Sequence, residues 1–125
     1  MNQYFFIIIS AIVLLSIDFI YLNIIKNLFN NQIKLVQGTK PTLNILGGIL
    51  CYILLIVGLN YFILNKNNSI FEAFLLGSII YGVYETTNYT LLKNWQLKTV
   101  VIDTLWGGIL FALTTFIMNK IKQLF

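Results

Sequence analysis

Three of the four carboxylates in this chain, Asp18, Glu85 and Asp103, stand inside long apolar runs. A carboxylate at the centre of a bilayer costs about 2.5–3.5 kcal/mol on insertion scales, so such a residue faces a bundle interior or water. The fourth, Glu72, falls near the start of its run, at an expected interface. The neighbours of the three acids extend a polar face at helical spacing. Gly77, Tyr81, Glu85 and Asn88 fall at i, i+4, i+8 and i+11, and Asp103, Gly107, Leu110 and Thr114 follow a similar rhythm. Tyr21 lies about one turn from Asp18. Three carboxylates, Asn88 and two tyrosines are therefore expected to line one cavity.

Several chemistries fit that set. Clustered intramembrane acids build proton and cation paths. An acid pair could act on a lipid, and carboxylates with an amide could hold a hard cation. Acids bonded to Tyr, Asn and Thr could also serve only to join helices. Zero His and one Cys argue against zinc, haem and iron–sulfur centres, so no metal and no cofactor is assigned. No nucleophile elbow or Gly-rich phosphate loop is present, so no catalytic residue is named.

The elements that must position these groups follow from composition. Of 125 residues, 58% are hydrophobic and 10% charged, with a mean hydropathy of +0.85. A soluble domain of this size could not hide so much apolar surface. Four apolar stretches, residues 4–25, 44–64, 70–92 and 98–118, each match the roughly 20 helical residues that cross the hydrocarbon core. The reading is all-α: one integral membrane four-helix bundle, with both termini on the same side. The first stretch lacks a basic leader and a small-x-small cleavage site, and reads as a span.

Residues 26–37 carry a second pattern. Phe29, Ile33 and Val36 share one face, with Lys26, Asn30, Lys34 and Gln37 opposite; Gly38 and Pro41 then stop the helix. This predicts a short amphipathic helix lying in the interface. Two halves also align. Asp18, Lys26 and Asn27 match Glu85, Lys93 and Asn94, and Gly47-Gly48-Ile49-Leu50 matches Gly107-Gly108-Ile109-Leu110. The alignment suggests two repeated helix hairpins.

The net charge of +4 comes from lysines alone. On a membrane protein it implies loops against anionic headgroups, with no nucleic-acid partner. The first and third loops hold Lys26, Lys34, Lys40, Lys93 and Lys98, which places that side in the cytoplasm and both termini outside. Gly47, Cys51 and Gly58 form a small-residue face suited to close helix approach, and a homodimer is expected. Trp95 reads as an interfacial anchor, and Trp106 as packing against the second or third helix.

The segment Tyr84-Glu85-Thr86-Thr87-Asn88-Tyr89-Thr90-Leu91-Leu92-Lys93-Asn94-Trp95, followed by Asp103-Thr104-Leu105-Trp106-Gly107, resembles a bacterial membrane family called domain of unknown function 2177. Ile17-Asp18 and the aromatic stretch after it fit as well. The family pattern usually has Asp where this chain has Glu85, and Arg in the loops where this chain uses Lys. The resemblance implies a four-helix membrane protein without an assigned activity. It also carries an association with genes of fatty-acid modification, which favours a lipid reading. By residue, Asp18, Glu85, Asn88, Asp103 and Trp106 match its polar core. The expected ion- or substrate-binding set is thus Asp18, Tyr21, Tyr81, Glu85, Asn88, Asp103 and Trp106. The expected function is proton or cation transport; the alternatives are a lipid-binding or lipid-modifying membrane protein and a structural membrane subunit.

Overall fold

The computed structural model describes residues 2–125, which fold into four helices. These are α1 (Gln3–Gln37), α2 (Ile45–Leu59, continued by one π-helical turn, Asn60–Leu64), α3 (Ile70–Leu91) and α4 (Leu97–Leu124). Their ends are set by local chemistry. The Asn2 side chain accepts from the Tyr4 N–H at 2.8 Å, and Gly38 takes the left-handed conformation at φ 82° that ends α1. Ser69 and Glu72 form a reciprocal capping box at the start of α3, which satisfies two otherwise orphaned backbone donors.

The amphipathic segment at residues 26–37 is helical, but it is not a separate interfacial helix. α1 runs through it without a break, because no Gly or Pro interrupts the ladder before Gly38. Thirty-five residues make a rod of about 52 Å, well beyond the roughly 30 Å of a hydrocarbon core. The connection to α2 must therefore double back. From the level of Asp18, α1 rises about 28 Å to its end, whereas α2 starts only about 10 Å above Tyr52, the partner of Asp18 on α2. The seven residues 38–44, exposed throughout, reach about 23 Å when extended and can cover the remaining 18 Å or so. The Gln37 amide holds the start of this strap by donating to the carbonyls of Thr39 and Lys40.

Three of the helices, α1, Ile45–Leu64 and α4, are long and apolar enough to cross a membrane. α3 has the length, at 22 residues, but not the hydropathy. Glu72, Glu85, Asn88 and three threonines dilute its apolar stretch. It lies along α4 over a longer interface than any other helix pair; Glu85 is buried there, while Glu72 and the three threonines are exposed.

Neighbouring helices run antiparallel, and the pairings fix their levels. Asp18 meets Tyr52 of α2 and Trp106 of α4, while Tyr21 meets Asp103. Eight residues back along α1, Ser10 meets Asn60, eight residues on along α2. The interior is layered as a result. One polar level holds Asp18, Tyr52, Trp106 and Asp103. An apolar level of Leu14, Leu55, Leu110 and Phe111 follows. Ser10 and Asn60 begin a second polar level about 12 Å from the first. Gln3, at the start of α1, and Phe125, just after α4, line one groove at one end of the bundle.

α3 and α4 approach closely enough that only glycine fits. A Cβ on Gly77 would collide with the Gly107 carbonyl, and one on Gly107 with the Tyr81 ring. The matching glycines of the first half are not used this way. A Cβ on Gly47 would touch only the Asn44 side chain of its own cap, at 3.8 Å, and one on Gly48 or Gly58 would meet no neighbouring helix; Cys51 is exposed. The two Gly-Gly-Ile-Leu segments thus occupy unlike environments. Gly77→Ala is expected to destabilise the bundle by about 1–3 kcal/mol through overpacking. Gly48→Ala should instead stabilise it by up to about 1 kcal/mol, through helix propensity alone. Loss of helical circular dichroism on denaturant titration in detergent measures both.

Candidate functional site

Asp18 is the point where three helices meet. It is buried on α1, and each of its oxygens takes a donor from a different neighbour. Trp106 Nε1 of α4 donates to Oδ1 at 2.9 Å, and the Tyr52 hydroxyl of α2 donates to Oδ2. The Trp106 ring also stacks on Tyr21, with centroids 4.2 Å apart and planes 3° from parallel. Tyr21 in turn sends its hydroxyl to Asp103 Oδ1 at 3.3 Å. A chain of bonds and stacked rings therefore links Asp18 to Asp103.

Asp103 is buried on α4, next to Glu85 of α3. Glu85 is 0% exposed. Its Oε1 accepts from Trp95 Nε1 at 2.9 Å, and its side chain also bonds to Asp103, which requires one proton between the two carboxyls. Trp95 belongs to the loop 92–96, and that loop is fixed by α1. Gln32, buried near the far end of α1, donates to the Asn94 carbonyl at 3.0 Å. Its Oε1 accepts from the Gln96 N–H at 2.9 Å and from the Thr99 hydroxyl at 2.7 Å. The left-handed backbone of Asn94, φ 67°, turns the loop so that Trp95 folds back onto Glu85.

The three acids share the half of the bundle nearest the loop 92–96. The Leu14, Leu55, Leu110 and Phe111 layer closes the cluster toward the other end. The way in is lateral. A cleft of about 340 Å³ opens between α2 and α3, lined by Cys51, Leu55, Ile80, Tyr81, Tyr84 and Asp103. Its wall is mostly apolar, and its floor carries one carboxylate and two phenols.

The residues expected from sequence divide accordingly. Asp18, Tyr21, Asp103 and Trp106 are joined directly, with Glu85 beside Asp103. Tyr81 packs its ring on Gly107 and lines the cleft. Asn88 stands apart: it is half-buried beside Tyr84 and bonds to none of the acids. Trp106 reaches α1 rather than packing only against α2 or α3. Trp95 is 5% exposed and serves Glu85 rather than the interface. Tyr52 and Gln32 were not marked by the sequence. A lone Tyr facing an apolar run and a lone Gln on a polar stripe carry no local signal. Among the described residues, no group of three His, Cys, Asp or Glu is arranged to hold a metal ion.

The family model described as "Predicted membrane protein (DUF2177)" matches residues 3–119. No curated protein and no solved structure matches the chain.

The hydrogen bonds of this cluster make a specific expectation. A double-mutant cycle of Trp106→Phe against Asp18→Asn should give a coupling of about 1.5–3 kcal/mol, as for a hydrogen bond to a charged group. Asn88→Ala should stay within about 0.5 kcal/mol of wild type, as for a site outside the network. Equilibrium unfolding in detergent, followed by Trp fluorescence, measures both.

Proposed function

The chain belongs to the family of predicted membrane proteins called domain of unknown function 2177, and from that premise we propose that it binds an amphiphilic lipid through the α2–α3 cleft. The apolar tail lies along Leu55 and Ile80, and the polar end reaches Asp103. The observation that carries this reading is the direction of access. One of the three acids, Asp103, opens sideways, at the depth of the apolar helices, into a cleft walled by Cys51, Leu55 and Ile80. Binding sites of this kind are mostly apolar, with a few placed polar groups that fix orientation.

Proton or cation transport makes a different demand. It needs a polar route to both ends of the bundle, and the buried side chains of Leu14, Leu110 and Phe111 fill the level below Asp18. The second polar level at Ser10 and Asn60 lies beyond that barrier. The geometry therefore favours a one-sided chamber over a through-path.

Cys51, free and at the mouth of the cleft, is a built-in reporter. Added amphiphile should slow its modification by a methanethiosulfonate reagent, and Ile80→Trp, which fills the cleft, should remove that protection. Lipid should also copurify with the wild-type protein in native mass spectrometry. Liposomes holding the protein should be silent to protons and monovalent cations. A flux abolished by Glu85→Gln, with Cys51 unprotected, would overturn the reading in favour of transport.

A further inference from the structure

α2 is seated at one end and bare at the other. Of residues 45–58 only Leu55 is buried, whereas Leu59, Asn60, Ile63 and Leu64 are all buried in the stretch 59–64 that follows. The foot of the helix, 59–64, therefore sits in the core, and the arm, 45–58, extends from it. The boundary coincides with a weak point in the backbone ladder. The Asn60 N–H is shared between the Ile56 and Val57 carbonyls, and the Asn60 side-chain amide also donates to the Ile56 carbonyl, at 2.9 Å. The ladder then changes to π spacing, with the Asn65 N–H on the Asn60 carbonyl at 2.8 Å. Helices bend where a side chain enters the ladder or a π turn interrupts it. The same Asn60 amide donates to Ser10 Oγ at 2.9 Å, which fixes the bending point against α1.

Among the described residues, one side-chain hydrogen bond ties the arm to another helix. The Tyr52 hydroxyl donates to Asp18, about 12 Å along α2 from Asn60. We propose that the arm is a gate: it swings about the Asn60 joint, is latched by Tyr52 on Asp18, and opens the α2–α3 cleft when the latch breaks. This deepens the lipid-binding reading and rests on it for what the gate admits; the swing itself does not. Cys51 and Leu55 ride on the arm, while Ile80, Tyr81, Tyr84 and Asp103 line the cleft from the glycine-packed pair α3 and α4. A swing of the arm therefore changes the width of the cleft without disturbing that pair. Rotation by about 10° carries Tyr52 about 2 Å and the start of α2 about 4 Å. The first displacement breaks a hydrogen bond. The second lies within the roughly 5 Å that the strap 38–44 keeps in hand when extended.

Spin labels read the two parts of α2 separately. With Cys51→Ala as background, one pair at Ile49 and Leu105 spans arm and α4, and a second pair at Tyr61 and Leu113 spans foot and α4; all four positions are exposed. Tyr52→Phe, which removes only the latch, should lengthen the first distance by about 2–4 Å and leave the second unchanged. Should that variant not fold, Asp18→Asn, which weakens the same bond by removing its charge, should move the first pair in the same direction. An unchanged first pair in a folded latch variant overturns the latch, and equal shifts in both pairs overturn the joint. The chain that keeps Cys51 tests what the gate serves. Dodecanol should protect Cys51 roughly tenfold sooner in Tyr52→Phe than in wild type, the effect of one hydrogen bond lost from the closed state. An arm that moves with no change in the onset of protection overturns gating of the cleft. An arm that moves with no protection in either chain overturns lipid binding and leaves the swing standing.

Discussion

One buried carboxylate organises this bundle. Asp18 cannot sit among apolar helices unpaired, and its two oxygens draw their donors from different helices. Tyr52 comes from α2 and Trp106 from α4. The cost of burying a charge is thereby turned into a constraint on where two other helices must lie. Stacking of Tyr21 on Trp106 then sets the direction from which Tyr21 reaches Asp103. The levels of the interior all follow from this node, because the bond from Ser10 to Asn60 repeats the same register eight residues away.

The helices are not held equally. α3 and α4 pack through backbone and small side chains, with glycine carbonyl against glycine. α2 touches α1 sparsely and α3 less still. Its attachment rests on the bond from Tyr52, the bond from Asn60 and the apolar contacts of Leu55, Leu59, Ile63 and Leu64. The cleft lies where the packing is thinnest. The rigid hairpin and the carboxylates it carries thus form one wall, and the lightly held α2 forms the other.

Much of this was legible in the residues. The helical elements follow from the apolar lengths, and the turning of the acids into the bundle interior follows from the cost of a charge in hydrocarbon. Gly38 marks the end of α1 by its left-handed φ, as its sequence position implied. What stayed hidden was pairing across long separations. Tyr52 lies 34 residues from Asp18, and Trp106 lies 88, and one sequence gives no sign of which aromatic meets which acid. Trp95 misleads because a Trp next to a lysine-rich loop has the pattern of an interfacial anchor. Its burial depends on Gln32, which arrives from another helix. Asn88 shares the helical phase of Glu85, but it lies almost a turn nearer the end of α3, past the reach of the cluster. The repeated Gly-Gly motif has equal sequence and unequal surroundings, since only the second copy meets a closely packed neighbour.

The unbroken run of α1 has a mechanical consequence. Gln32, which grips the loop carrying Trp95, and Asp18, which gathers α2 and α4, sit 14 residues apart on the same rod, a lever arm of about 21 Å. No proline, glycine or π-turn lies between them to act as a joint. A change in the tilt of this rod would swing the loop grip and the carboxylate node as one piece. Tilting is one way a helix accommodates a bilayer that does not match its apolar length. The thickness of the surrounding membrane would then be felt directly, as torque, at the place where three helices share one charge.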